Sequence, residues 1–149
     1  MTSFSDAHET TSIPIIVANA QRVILPRLCQ VWCVLRKDDD EKRLTYGLSA
    51  AFLGRMCLSG DLLDLRDEQS VIVKNAIDFY SNASVIIRNG SSVRYGPSVN
   101  SYNNPKGWQA VCRYDDKEEK LLVVIHQFQK TSCRTSGSPI FRFVMRKNT

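Results

Sequence analysis

The sequence has few of the residues that most often carry metal or nucleophilic chemistry. It contains only two histidines, His8 and His126. Cys29 and Cys33 are spaced like one half of a zinc site, but no second pair of ligands accompanies them, so we expect no metal and no cofactor. His126 lies in an apolar stretch with no serine or cysteine nucleophile near it in the sequence, which gives a catalytic triad no support.

Long hydrophobic runs and a secretory leader are also missing. No apolar run approaches the roughly 18 residues that a membrane-spanning helix needs. The first eleven residues are polar, include Asp6 and Glu9, and show neither a basic start nor an apolar block. Cysteine is odd in number, at five, and four of these residues sit inside apolar runs, which favours free thiols in a reducing compartment. We therefore expect a cytoplasmic protein without a membrane partner.

The net positive charge is confined to the last 20 residues. The net charge is +5, and residues 1 to 129 balance to zero. A nucleic-acid-binding surface would show a basic stripe with interleaved aromatic residues, whereas the only aromatic residues here, Phe141 and Phe143, fit the inward side of a strand. We therefore expect no nucleic-acid partner. The whole surplus lies in Lys130, Arg134, Arg142, Arg146 and Lys147.

The best-defined pattern surrounds the short apolar stretch from Leu53 to Asp61. Glycines bound it, one helical pattern precedes it and a longer one follows it. An aspartate is predicted at the start of each helix: Asp38, Asp39 or Asp40 for the first, and Asp64 or Asp67 for the second. A buried parallel strand between two crossover helices has this pattern, and Cys29 to Leu35 predicts a second such strand. In β/α barrels the active-site residues follow the carboxyl ends of the strands, which makes Asp61 a candidate site residue.

The pattern changes after Gly90, where apolar residues begin to recur at every second position. We predict a disordered lead-in over residues 1–12, an α/β segment over 13–90 and an antiparallel β-domain over 91–149. Ile13 to Ala18 is interpreted as a strand or an ordered loop. Strands are predicted near 92–95, 108–114, 121–128 and 140–145, with a charged turn from Asp115 to Lys120. The second strand places Trp108, Ala110, Cys112 and Tyr114 on one side.

Four segments, in order, resemble family 36 glycoside hydrolases and related α-galactosidase-like proteins. Pro26 to Arg36 resembles the segment entering their penultimate barrel strand, and Leu53 to Asp61 resembles their last barrel strand. Phe79-Tyr80 with Ile86 to Gly90 is similar to the end of their last barrel helix. Pro105 to Arg113, with Leu121 to Phe128, resembles their C-terminal β-domain. The likeness covers residues 13–129.

The resemblance implies an α/β fold followed by an all-β fold: the last two β/α units of a (β/α)8 barrel plus a C-terminal antiparallel β-sandwich. It also implies retaining hydrolysis of terminal α-galactosides by two aspartates. Family members carry both aspartates upstream of the segment that matches Pro26. Only 25 residues precede Pro26 here, and they contain no matching motif. We therefore expect no catalytic residue in this chain, and a C-terminal fragment that is inactive alone.

Three residues are candidates for contact with an α-galactoside or another carbohydrate. Asp61 and Ser59 follow or end the central strand, although Asp61 is equally placed to cap a helix or to be a solvated loop acid. Trp108 can stack on a sugar ring or belong to the core, whereas Trp32 is expected in the core.

Two other interpretations of the whole chain stay open. One is a carbohydrate-binding or accessory β module that docks on a separate barrel chain. The other is a small structural α/β protein. Two β/α units leave an open sheet edge, so we expect a homo-oligomer or association with the missing barrel half.

Overall fold

The computed structural model describes residues 2–4, 11–99 and 101–128, and of residues 2–4 only the backbone. Two three-stranded sheets and three helices make up this part of the chain. The elements in order are β1 (Thr2–Phe4), α1 (Ile13–Ala20), a 3-10 turn (Pro26–Leu28), β2 (Cys29–Leu35), α2 (Glu41–Ala51), β3 (Arg55–Gly60), α3 (Asp67–Asn89), β4 (Ser91–Tyr95), β5 (Trp108–Asp115) and β6 (Lys120–Gln127).

The first sheet is parallel, with strand order β1-β2-β3. Phe4 pairs with Val31, which in turn pairs with Met56. Helices α1 and α2 make the two crossovers, and right-handed crossovers between successive neighbours put both on one face of the sheet. The predicted strands at Cys29–Leu35 and after Gly54 are confirmed. The expectation of two β/α units is corrected to three.

The start of the chain differs from the prediction of a disordered lead-in. Thr2–Phe4 forms β1 and pairs with Cys29 to Val31. An exposed edge of β2 offers a row of backbone hydrogen-bonding groups, and even a polar segment satisfies them by pairing. Side-chain pattern is a poor guide to such a strand, because its stabilisation comes from the backbone.

Helix α1 replaces the strand or loop that we expected at Ile13 to Ala18. Pro14 stands in its first turn, where the missing N–H costs nothing. Ile15 and Val17 are fully buried. The stretch is β-branched and favours a strand locally, but burial against the rest of the fold outweighs that weak propensity.

Helices α2 and α3 begin as the sequence predicts. The Asp40 carboxylate caps α2 by accepting a hydrogen bond of 2.7 Å from the backbone N–H of Arg43. Leu44 and Leu48 of α2 are buried. Helix α3 starts at Asp67, one of the two predicted positions, and its acidic first turn suits the positive end of the helix dipole.

The second sheet is antiparallel, with order β4-β5-β6. Strands β5 and β6 form a hairpin whose register runs from Trp108 opposite Gln127 to Asp115 opposite Lys120. The turn contains the predicted acidic pair, and the Asp115 carboxylate accepts from the backbone N–H of Lys117 at 3.0 Å. Within the described residues this is one sheet; the predicted strand at 140–145, and with it the expected sandwich, lies outside them.

The side of β5 that faces inward is the opposite of the apolar side expected from the sequence. Gln109, Val111 and Arg113 are buried, whereas Trp108 and Tyr114 are largely exposed. The polar side chains turn inward because each donates to a carbonyl of the α/β part: Gln109 to Pro14 and Arg113 to Leu53, both at 2.8 Å. The two sheets share one hydrophobic core, and the predicted domain division at residue 90 stays a prediction.

Candidate functional site at the carboxyl edge of the parallel sheet

Strands β2 and β3 end side by side, with Leu35 paired to Gly60. The next residue, Asp61, donates its backbone N–H to the carbonyl of Leu35 at 2.9 Å. Gly60 has a φ of +95°, and a Cβ there would collide with the Leu35 carbonyl oxygen. Only glycine therefore allows the two strands to close so tightly where they present Asp61.

The Asp61 carboxylate joins the ends of the two strands. Its Oδ1 accepts from Arg36 Nη1 at 3.2 Å, and its Oδ2 accepts from the backbone N–H of Lys37 at 3.3 Å. The side chain stays 28% exposed. A carboxylate has about four lone-pair positions, so Asp61 keeps acceptor capacity for further hydrogen-bond donors while Arg36 balances its charge.

The loop after β2 is held from helix α3. Buried Gln69 donates from Nε2 to the carbonyl of Asp39 at 2.8 Å, and its Oε1 accepts from the backbone N–H of Arg66 at 2.9 Å. Arg66 in turn donates to the carbonyl of Lys37 at 2.6 Å. These bonds fix the backbone beside Asp61. Sequence reasoning missed Gln69, although a glutamine in the first turn of a helix is a recognisable capping signal.

Asp39 holds the same loop from within. It is 5% exposed, its Oδ2 accepts from the backbone N–H of Arg36 at 2.9 Å, and its Oδ1 pairs with Arg43 Nε at 3.1 Å. The Asp39 and Asp61 carboxylates are thus each matched to an arginine. This pairing suits positioning roles for both carboxylates.

Ser59 lies on the sheet face opposite the helices. Met56 and Leu58 pack against the core, and side chains alternate along a strand, so Cys57 and Ser59 point the other way. Gln30 donates to Cys57 Sγ at 2.9 Å on this face. Trp32 shares the face and is half-buried, not fully enclosed as a core residue would be.

Trp108 is placed apart from the other two candidates. It begins β5 in the antiparallel sheet, opposite Gln127, and is 46% exposed. Among the described residues, no hydrogen bond, ion pair or ring contact joins Trp108 to Asp61 or Ser59. The structure therefore brings Asp61 and Ser59 to one edge and leaves Trp108 on another element.

A cleft of about 520 Å³ separates the loop after β2 from the end of β6. Asp38, Lys42 and Tyr46 line one side, and Gln127 and Phe128 line the other. Gln127 pairs with Trp108, so the strand that carries the exposed indole adjoins this cleft. Asp61 and Ser59 are not among its lining residues.

His126 has a serine neighbour that sequence reasoning missed. Its Nε2 lies 3.2 Å from Ser49 Oγ, across 77 positions of sequence. The Ser49 hydroxyl donates to the carbonyl of Tyr46 at 2.8 Å. Burial lowers the pKa of His126 to about 3. Both side chains are 1% exposed, so the contact lies inside the core.

The described thiols and acids do not form a reactive or metal-binding centre. Burial raises the pKa of Cys29 to about 11 and that of Cys33 to about 12, so both stay protonated at neutral pH. No group of three histidine, cysteine or carboxylate side chains within the described part of the chain is arranged to hold a metal ion. No helix there is long and apolar enough to cross a membrane.

The helices and strands of the described residues form an α/β unit with parallel β/α repeats, followed by an antiparallel sheet. Solved structures with this arrangement are GH36 alpha-galactosidases. The alpha-galactosidase from Lactobacillus brevis superposes with a TM-score of 0.70 at 14% identity, covering 96% of this chain and 19% of that one. The GH36 alpha-galactosidase AgaA from Geobacillus stearothermophilus gives 0.69 at 15% identity, covering 88% and 18%.

A third similar structure is the galactosidase domain of alpha-galactosidase-sucrose kinase, with a TM-score of 0.69 at 12% identity over 88% of this chain and 18% of that one. Neither a family model nor a curated protein matches the sequence. The resemblance to family 36 glycoside hydrolases is thus confirmed at the level of the fold. The chain spans less than one fifth of the length of these structures, which is consistent with a C-terminal portion.

Proposed function

We propose that this chain is the C-terminal part of an α-galactosidase-like glycoside hydrolase and that it contributes sugar contacts, while the catalytic carboxyl groups belong to a preceding part of the barrel. The observation that carries the proposal is the tight closure of β2 on β3, which presents Asp61 at a carboxyl edge. That edge belongs to a fold shared with GH36 alpha-galactosidases.

The chemistry of the edge suits binding rather than bond cleavage. A retaining glycosidase uses two carboxyl groups about 5 Å apart, one as nucleophile and one as acid/base. The Asp61 carboxylate already accepts from Arg36 and from the backbone of Lys37. Its role in the proposal is to accept a hydrogen bond from a galactosyl hydroxyl, and Ser59 supplies a second polar group on the face that the helices leave open.

The edges of the parallel sheet support the proposal that another polypeptide segment carries the remaining barrel strands. A (β/α)8 barrel has eight parallel strands, whereas the described residues form a parallel sheet of three, with β1 and β3 at its edges. A polypeptide carrying the remaining strands would pair with these edges and cover the face that bears Trp32 and Ser59. Two solved structures of the Geobacillus stearothermophilus enzyme are complexes with raffinose and stachyose, and α-galactosides of this kind are the ligands we propose for the completed assembly.

The first experiment is an activity assay of the 149-residue chain with an aryl α-galactoside. We expect no turnover, because the proposal assigns the catalytic pair to a preceding part of the barrel. Genuine turnover that survives further purification would contradict the assignment of the catalytic groups to another segment.

The second experiment joins this chain to a barrel segment that carries the catalytic pair and compares two variants. Asp61→Asn keeps the shape of the side chain but weakens its acceptor strength, and we expect about a tenfold loss in affinity for raffinose, the value of one hydrogen bond to a charged group. Asp64→Asn is the matched control, since Asp64 is exposed and lies in the same loop. Equal affinity in both variants would contradict a contact between Asp61 and the sugar.

A second candidate function is an accessory module that binds carbohydrate through Trp108. The observation that favours it is the exposure of this indole beside the cleft at Gln127. An amphipathic ring with one exposed face is suited to stacking on a sugar. Titration of the isolated chain with raffinose, followed by tryptophan fluorescence, tests this function: a saturable change that Trp108→Ala abolishes supports it, and an unchanged signal contradicts it.

A further inference from the structure

A basic cleft of about 520 Å³ lies between the end of helix α1 and the edge strand β4. Arg22 and Arg94 stand in its wall together with the polar side chains of Asn19, Ser92 and Ser98. None of its lining residues among those described is acidic. The cleft is separate from Asp61, Ser59 and Trp108, so the sugar contacts proposed above do not account for it.

Arg94 is held in place by its own turn. Its Nη2 donates to the carbonyl of Pro97 at 2.9 Å and its Nη1 to that of Gly96 at 3.5 Å. Its Nε is buried and has no hydrogen-bond partner among the described residues. A guanidinium group that is already oriented loses little freedom when it binds an anion, and this one has no carboxylate partner in the described part of the chain.

A second arginine without a carboxylate partner stands directly behind the cleft. Arg113 is 1% exposed, and its Nε donates to the hydroxyl of Ser92, a lining residue, at 2.8 Å. Its Nη1 has no hydrogen-bond partner among the described residues. Burial lowers the pKa of Arg113 to about 10, but the group is still a cation at neutral pH. An unpaired buried charge is costly, and a nearby anion would reduce that cost.

We propose that the cleft between α1 and β4 binds a phosphate-type oxyanion, with Arg22 and Arg94 as its charged donors. Asn19 and Ser98 supply neutral donors, and Arg113 strengthens the positive potential from behind Ser92. Charge-assisted hydrogen bonds from guanidinium groups are the strongest that a phosphate receives from protein side chains. The volume exceeds that of a phosphate ion, so the same chemistry accommodates free phosphate or the phosphate group of a small ester.

Calorimetric titration of the 149-residue chain distinguishes these two sources. One arm uses inorganic phosphate and the other uses a hexose phosphate, with the unphosphorylated hexose as reference. We expect saturable binding of at least one phosphate compound and none of the free hexose. A tighter hexose phosphate identifies an ester as the ligand, and equal affinities identify the phosphate group alone. Absence of saturable binding in the millimolar range for both compounds overturns the proposal.

Variants test whether the two arginines form the site. Arg22→Gln and Arg94→Gln should each weaken binding about tenfold, because each removes a charge-assisted hydrogen bond. Arg27→Gln is the matched control: Arg27 is exposed and does not line the cleft, and its loss should change the affinity less than twofold. An equal loss in all three variants would indicate diffuse attraction to positive charge and overturn the site.

Folding does not confound this test. Arg22 is exposed, so Arg22→Gln is expected to melt like the wild type and by itself decides the outcome if Arg94→Gln unfolds. Arg94→Lys adds a second check, since it keeps the charge but loses the planar group held by the two carbonyls. We expect its affinity to lie between those of wild type and Arg94→Gln, and wild-type affinity in Arg22→Gln contradicts the proposal.

Discussion

The two sheets of this protein bury different kinds of side chain. The parallel sheet and its helices enclose an apolar interior that includes Val31, Leu48 and Leu53. The antiparallel sheet turns Gln109, Arg113 and His126 inward, each of them 1% exposed or less. The comparison shows that the antiparallel sheet closes the shared core with apolar side chains such as Val111 and Leu122 and also with polar side chains that bond to backbone carbonyls of the α/β part.

The difference has a physical origin in what each sheet contacts. Helices present apolar stripes to the parallel sheet, so hydrophobic side chains satisfy both partners. The antiparallel sheet instead meets the ends and turns of the α/β part, where the carbonyls of Pro14 and Leu53 each accept a hydrogen bond from one of its side chains. Buried carbonyls need donors, and long amide and guanidinium side chains supply them.

The largest effect is expected from a substitution in the apolar core beneath helix α2. Leu48→Ala removes a buried side chain of α2 and should lower the free energy of unfolding by about 2–5 kcal/mol, through lost burial and the cavity that remains. Urea denaturation followed by circular dichroism measures this change. Leu63→Ala is the control, because Leu63 is 99% exposed and should shift stability by no more than about 0.5 kcal/mol. Similar losses in both variants would mean that α2 does not close the core.

An intermediate effect is expected from pH at the inward face of β6. Burial lowers the pKa of folded His126 to about 3 from 6.5, so the unfolded chain binds the extra proton between these values. Stability from the neutral ring is present above pH 6.5 and is lost as the pH falls toward 3, by up to about 1.4 kcal/mol per pH unit.

Urea denaturation at several pH values tests this sign. The acid-side slope of the wild type should exceed that of His126→Gln, whose side chain does not titrate in this range. Parallel pH profiles in the two proteins would contradict the burial of a neutral His126.

The smallest effect is expected at the polar contact of β5. Gln109→Met keeps the length of the side chain but removes the donor that lies 2.8 Å from the carbonyl of Pro14, at a cost of about 1 kcal/mol. The loss is small because the Gln109 Oε1 atom is itself buried without a partner among the described residues, and the substitution removes that penalty. A loss as large as that of Leu48→Ala would erase the contrast between the two halves.

The candidate site was predictable in part. Asp61 and Ser59 follow from one short apolar stretch between glycines, and the structure does place them at the end of β3, with Gly60 allowing the close approach. The ion pair of Asp61 with Arg36 forms because two loops meet at a sheet edge. The sequence of either loop by itself does not predict that contact. Trp108 was predicted on a strand of the antiparallel half, and the structure places it at the start of β5, on a different sheet from Asp61 and Ser59.

Local signals in the sequence determined strands β2 and β3, the aspartate cap of α2, the first turn of α3 and the β5–β6 hairpin, because each depends on side chains that are neighbours along the chain. Tertiary structure alone decided the pairing of Thr2–Phe4, the helical state of Ile13–Ala20, the inward polar face of β5 and the contact of Ser49 with His126. These features depend on backbone groups and buried surfaces of distant segments. The contacts that stabilise them join residues far apart in the sequence, so local propensity does not predict them.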